Sequence, residues 1–131
     1  MTKLIKKNKI SHVSKIFSWK KKSTVYIGRF QPFHSGHEYL FKKGLESSGQ
    51  VIFLVMDSYG IKKKNPFKFS QVKKNILKKL KKYKNKFLII KIPVVKEVIY
   101  GRKVGYKIKK IQAPKNITSI SATNIRKNLF K

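Results

Sequence analysis

Between residues 24 and 92 the apolar side chains switch repeatedly between the spacing of a strand and that of a helix, and no other feature restricts the fold as much. Residues 24–27 are a short β-branched and aromatic run that stops at Gly28, as a buried strand does. Residues 36–47 place Tyr39, Leu40, Lys43 and Leu45 in a helical rhythm, and Ser48 with Gly49 closes that segment. Residues 51–56 are apolar almost without a break, which suits a parallel strand covered on both faces. After the turn signal Asn65-Pro66, the residues Phe69, Val72, Ile76, Leu77 and Leu80 mark an amphipathic helix over 70–83 whose other face is nearly all lysine. Residues 87–92 read as a third strand, 97–100 as a short fourth, 117–120 as a last strand and 122–129 as a terminal helix. Strands and helices alternating in this way build a parallel sheet through right-handed crossovers, so the fold class is α/β, with helices flanking the sheet. Ligands of such sheets bind beyond the carboxyl ends of the strands.

The 131 residues suffice for a single core of modest size. Residues 1–22 read as a basic N-terminal extension and 23–131 as the domain. The extension has lysines but no acid, Gly or Pro, and its Ile10, Val13, Ile16 and Phe17 fall at helical spacing. Three readings fit it: an organelle-targeting peptide, an anchor for anionic lipid or nucleic acid, and a frayed tail. With no cysteine there is no disulfide framework, thiolate zinc site or thiol nucleophile. No apolar run approaches the roughly 20 residues that cross a bilayer, and the expected location is cytoplasmic.

Lys and Arg number 34 against 4 Asp and Glu, a net charge of +30 that attracts any polyanion, nucleic acid first. Composition typical of AT-rich coding explains much of the lysine as a solvated coat, but not the shortage of acids. Arginine is confined to Arg29, Arg102 and Arg126. Those three are the candidates for planar, bidentate contacts to phosphate or carboxylate.

The stretch after the first strand, Gly28-Arg29-Phe30-Gln31-Pro32-Phe33-His34-Ser35-Gly36-His37, has the make-up of an anion site. Gly28 lets backbone approach a ligand, and Gly36 opens a helix whose amides and dipole favour phosphate. His34 and His37, three apart at a helix start, can share a face and donate to one phosphate group. Structural histidines and a metal pair are the other readings, although zincin-type sites space their histidines at i and i+4 with an intervening Glu. Ser121, Thr123 and Arg126, at the start of the terminal helix, fit either a plain N-cap or a second phosphate cradle. Asp57, just past the second strand, and Arg102, after the expected fourth, point to the same binding edge; a turn cap and a solvated loop arginine are their plain readings.

Residues 28–37 closely resemble the GRFQPFHxGH signature of the HxGH nucleotidyltransferase superfamily, the cytidylyltransferase-like group that includes NMN adenylyltransferase, pantetheine-phosphate adenylyltransferase and glycerol-3-phosphate cytidylyltransferase. Residues 121–126 resemble its C-terminal ISxTxIR motif, and the resemblance covers roughly residues 24–128. The wording of the first motif and Asn65-Pro66-Phe67 are most similar to archaeal-type NMN adenylyltransferases. Two departures touch the acceptor: the region between the third strand and the last motif is short, and Gln71-Val72-Lys73-Lys74 stands where relatives usually carry an ER pair. The resemblance implies a Rossmann-like fold and transfer of a nucleoside monophosphate from ATP, or alternatively CTP, to a phosphorylated small molecule with release of pyrophosphate. It implies Mg²⁺ on the triphosphate, held mainly by phosphate oxygens and water. His37 would meet the α-phosphate and His34 the triphosphate, with Gly36 at the same helix start. Ser121, Thr123 and Arg126 would hold the β- and γ-phosphates. Gly28, the amides of Arg29 and Phe30, and Gln31 would contact the nucleotide, and Asp57 and Arg102 the acceptor. A catalytically idle, nucleic-acid-binding relative is the competing expectation.

Overall fold

The apolar run at residues 51–56 becomes the middle of the sheet because only a central strand can bury both of its faces. A computed structural model of the chain describes residues 17–61, 63–102 and 105–115. In chain order these form β1 (Thr24–Gly28), α1 (Ser35–Ser48), β2 (Val51–Met56), α2 (Phe69–Lys79), a 3-10 turn (Lys81–Tyr83) and β3 (Phe87–Ile92). The sheet is parallel with order β1-β2-β3, and Thr24, Val51 and Phe87 share one register line at its amino end. Both crossovers step in the same direction, so α1 and α2 cover the same face. That is the small Rossmann-like α/β arrangement expected from the alternation.

The core lies between this face and the two helices. Val51, Phe53, Val55, Phe87 and Ile89 project from the sheet onto Phe41 of α1 and onto Val72 and Ile76 of α2, with Leu80 just beyond. Phe53 is fully buried, and its ring meets those of Tyr26, Phe30, Phe33, Phe41 and Phe87 at centroid distances of 5.8, 5.5, 5.9, 5.4 and 5.7 Å. Offset and edge-on pairs of this kind add about 0.5–1.5 kcal/mol each beyond area burial. On the opposite face Leu88 is buried beneath Phe17, with Ile52 and Ile90 beside it. Phe17 thus packs on the sheet from within the stretch read as the extension.

Helix ends follow local chemistry. Gly49, at φ 81°, closes α1 by donating its N–H to the Leu45 carbonyl at 2.8 Å, a left-handed cap that glycine adopts without strain. The second helix ends earlier than its periodicity suggests: Leu80 leaves the helical region, and the chain tightens into the 3-10 turn through Tyr83, whose N–H donates to the Leu80 carbonyl. The expected fourth strand at 97–100 is corrected by the structure. That stretch is exposed coil, with Val98 and Ile99 62% and 85% exposed. A β-branched pair predicts a strand only where a neighbouring strand receives it, and none pairs there among the described residues. The strand and helix expected at 117–120 and 122–129 lie outside the described residues.

Truncating Phe53 removes the partner of five rings at once. Phe53→Ala is expected to lower the unfolding free energy by about 3–5 kcal/mol, read as a fall in urea midpoint at unchanged m-value.

Candidate active site

The loop from β1 to α1 reaches its shape through three local constraints. Phe30 has φ 53°, a left-handed conformation rare for a bulky residue, and its ring is 1% exposed beneath the end of β1. A Cβ on Gly28 would lie 2.8 Å from that ring, so glycine makes room for Phe30 at the point where the sequence suggests room for a ligand. Gln31, which the sequence offers as a nucleotide contact, is 4% exposed. Its Nε2 donates to the Phe67 carbonyl and its Oε1 accepts from the Phe67 N–H, both at 2.9 Å. This amide pair bolts the loop to the segment entering α2.

At α1 the two histidines form a reciprocal cap. His34 is the N-cap; its Nδ1 accepts from the Gly36 N–H at 3.0 Å, and Nδ1 of His37 accepts from the His34 N–H at 3.1 Å. An accepting Nδ1 carries no proton, so each neutral ring holds its hydrogen on Nε2. The rings stack with centroids 3.9 Å apart. Two N–H donors are thereby fixed side by side at the positive end of a helix and at the carboxyl end of the sheet. The Gly36 amide is taken up by this cap, donating to Nδ1 of His34.

Burial, with the neighbouring His34 as the lesser cause, lowers the His37 pKa to about 3. Its ring stacks on Phe33 and meets Phe30 edge-on. Tyr26, also beside His37, has its phenol held above its ordinary range by burial.

The other expected residues divide. Arg29 is exposed immediately after β1. Asp57 follows β2, where its N–H donates to the Ile92 carbonyl and its carboxylate pairs with Lys91 at 3.4 Å; the Lys91 ammonium also lies 5.8 Å from the Phe69 ring centroid. Arg102 is exposed, and the strand expected to aim it is absent. Ser121, Thr123 and Arg126 lie outside the described residues. Sequence reasoning missed Asn75 of α2, whose Nδ2 donates to the Phe33 carbonyl at 3.2 Å and so holds the peptide just before His34. Its signal is an Asn beside the apolar stripe of a helix, a place for which a helix interior has no preference. Ser58, fully buried, donates to the Asn65 side chain, which in turn donates to the Ile61 carbonyl, so the Asn65-Pro66 turn is built from within.

A sequence model of the cytidylyltransferase-like family matches residues 25–106, which include β1 from its second residue, the histidine cap and both helices. The chain belongs to the cytidylyltransferase-like family. It is therefore a nucleotidyltransferase, and the HxGH resemblance of residues 28–37 stands on a matched domain. Neither the curated proteins nor the solved structures gave a match.

Two outcomes follow from this geometry. Because the folded His37 pKa lies below its unfolded value, the unfolded state binds the proton first, and stability is lost as pH falls from about 6.5 towards 3. In an NMR titration of the free protein the His37 ring resonances are expected to stay fixed between pH 8 and 5. Gln31→Ala, which strands two backbone groups of Phe67, is expected to cost about 2 kcal/mol in denaturant unfolding.

Proposed function

We propose that the chain transfers AMP from ATP to a phosphate-bearing small molecule, releasing pyrophosphate in the manner of an NMN adenylyltransferase, with CMP transfer from CTP as the second option. The observation that carries this reading is the reciprocal cap, which aims two neutral imidazole N–H donors from one helix start. The motif wording supports adenylyl over cytidylyl transfer. In the reaction an acceptor oxygen attacks the α-phosphorus, forming the new P–O bond as the bond to the β-phosphate breaks and the electron pair leaves with pyrophosphate. No side chain needs to form a covalent bond. Catalysis comes from alignment and from stabilising charge on the equatorial oxygens.

In this reading Nε2–H of His37 donates to the α-phosphate and that of His34 to the adjoining phosphate. Donors held in place before the substrate binds stabilise charge on the equatorial oxygens without reorganisation in the transition state. The amides of Arg29 and Phe30 line the entry of the nucleotide. Ser121, Thr123 and Arg126 hold the β- and γ-phosphates, and Asp57 and Arg102 belong to the acceptor side. Among the described residues no three His, Asp or Glu side chains gather, and Asp57 already meets Lys91. That donor set does not build a resident metal cage, so Mg²⁺ enters this reading as part of the nucleotide substrate.

The test is a pyrophosphate-release assay with added Mg²⁺, pairing ATP or CTP with NMN, phosphopantetheine, glycerol-3-phosphate or phosphocholine. Turnover is expected with ATP and NMN. His37→Ala is expected to lower kcat by about 10²–10³ while nucleotide binding in calorimetry changes far less. Turnover with CTP alone would move the reading to cytidylyl transfer, and an unaffected His37→Ala enzyme would remove the histidine from the mechanism.

A further inference from the structure

Beyond β3 the chain runs out into an exposed arm. Val95, whose N–H lies 3.2 Å from the sulfur of Met56 at the end of β2, is the last half-buried residue before it, and Ile111 is the first after it. Every described residue from 96 to 110 is exposed. The arm folds back on itself: the rings of Tyr100 and Tyr106 meet edge-on at 6.4 Å, and Gly105, just before Tyr106, has φ 83°. Val98, Ile99, Tyr100, Tyr106 and Ile108 all stand in water, Ile99 and Ile108 at 85% and 71% exposure.

Single apolar residues on a surface need no explanation, but five large ones on one short arm form the kind of patch that marks a contact. Charge states the chemistry of that contact. Lys96, Arg102, Lys107, Lys109 and Lys110 are exposed on the same arm, against the single acid Glu97. Along residues 106–109 apolar and basic residues alternate, so each apolar one has a cation as its neighbour in sequence.

We infer that this arm docks on the surface of an anionic lipid bilayer, with Val98, Ile99 and Ile108 entering the acyl boundary and the lysines meeting the headgroups. A bilayer surface takes both classes of group at once. Aliphatic side chains leave water for hydrocarbon, while lysine stems lie along the boundary and their ammonium groups reach anionic lipid. Tyrosine, apolar in its body and polar at its tip, sits at that same depth. Nucleic acid is the poorer occupant, because Val98, Ile99 and Ile108 offer no ring on which a base can stack. A second copy would bring two arms of the same sign together, in a chain of net charge +30. Among the described residues no helix is long and apolar enough to cross a membrane, so the contact is one of lying on the surface. It is separate from the transfer reaction proposed above and does not depend on it.

The full-length protein is mixed with phosphatidylcholine vesicles, with and without phosphatidylserine, and bound protein is separated by flotation at several salt concentrations. Binding is expected to be far stronger with phosphatidylserine, and part of it to persist at high salt, where attraction between exposed charges is screened. Ile99→Ser with Ile108→Ser leaves the charge unchanged and alters only exposed sites. That double variant should bind vesicles about tenfold or more weakly and lose the salt-resistant fraction. Lys107→Gln with Lys109→Gln should weaken binding at low salt more than Lys78→Gln with Lys79→Gln, a pair exposed on α2. An unaffected isoleucine variant, or equal loss in the two lysine pairs, would overturn the inference in favour of diffuse charge. If the isoleucine variant instead lost binding to a single-stranded oligonucleotide with its vesicle binding intact, the arm would belong to nucleic acid. A dimer in sedimentation velocity that the same variant dissolves would assign the arm to a second copy.

Discussion

The position of the histidine pair in this protein depends on the packing around Phe53. Its ring lies in the middle strand and touches rings from β1, the motif loop, α1 and β3, so the elements that carry the site are referenced to one buried point. Phe30 and Phe33 of the motif loop belong to that cluster, and both also touch the ring of His37. His37, the proposed phosphate donor, is therefore an extension of the core. A left-handed Phe30 backbone, of order 1–3 kcal/mol unfavourable by itself, persists because burying the ring beneath β1 offsets it.

From that point outward, each polar contact narrows the freedom of the histidines. Gln31 ties the loop to Phe67, and Asn75 ties the Phe33 carbonyl to α2, across 36 and 42 residues of sequence respectively. The reciprocal cap then removes the choice of tautomer. Either imidazole rotated about its last bond would lose an Nδ1 acceptor and leave a helix-start amide unpaired, so the Nε2–H direction follows from hydrogen bonding within the fold. Preorganisation of this kind, present before any ligand arrives, is what an electrostatic mechanism without a covalent intermediate requires.

Much of the fold was legible because it is local. Residues 51–56 and 87–92 were readable as strands from apolar runs, the second broken only by Lys91, and α1 from its period together with Gly49. The short strand expected at 97–100 failed because two β-branched residues say nothing about whether a neighbour exists to pair with them. That His34 and His37 lie together at a helix start was legible; their tautomers were not, because these depend on which amide lies beside which nitrogen. Gly28 was read as space for a ligand when the space holds Phe30, two residues ahead and folded back, a turn that no propensity announces. Gln31 was assigned to the nucleotide for the same reason. A glutamine in a motif declares a hydrogen bond, but its partner, Phe67, is settled only by tertiary structure.

The chain keeps its charge and its chemistry at different places, and burial explains why. The region around His37 excludes water enough to hold an imidazole neutral, and an unpaired lysine there would meet the same desolvation penalty. Lysines accordingly occupy solvent, on the outer side of α2 and on the rim before the strands, where an ammonium group keeps its hydration. In the proposed reaction the nucleotide would meet oriented neutral donors at close range inside a positive field contributed from farther away. Such a field accelerates encounter with any polyphosphate and is screened by salt over about 8–10 Å, while the short-range donors are screened far less. Binding rates should therefore be salt-sensitive even where the chemical step is not.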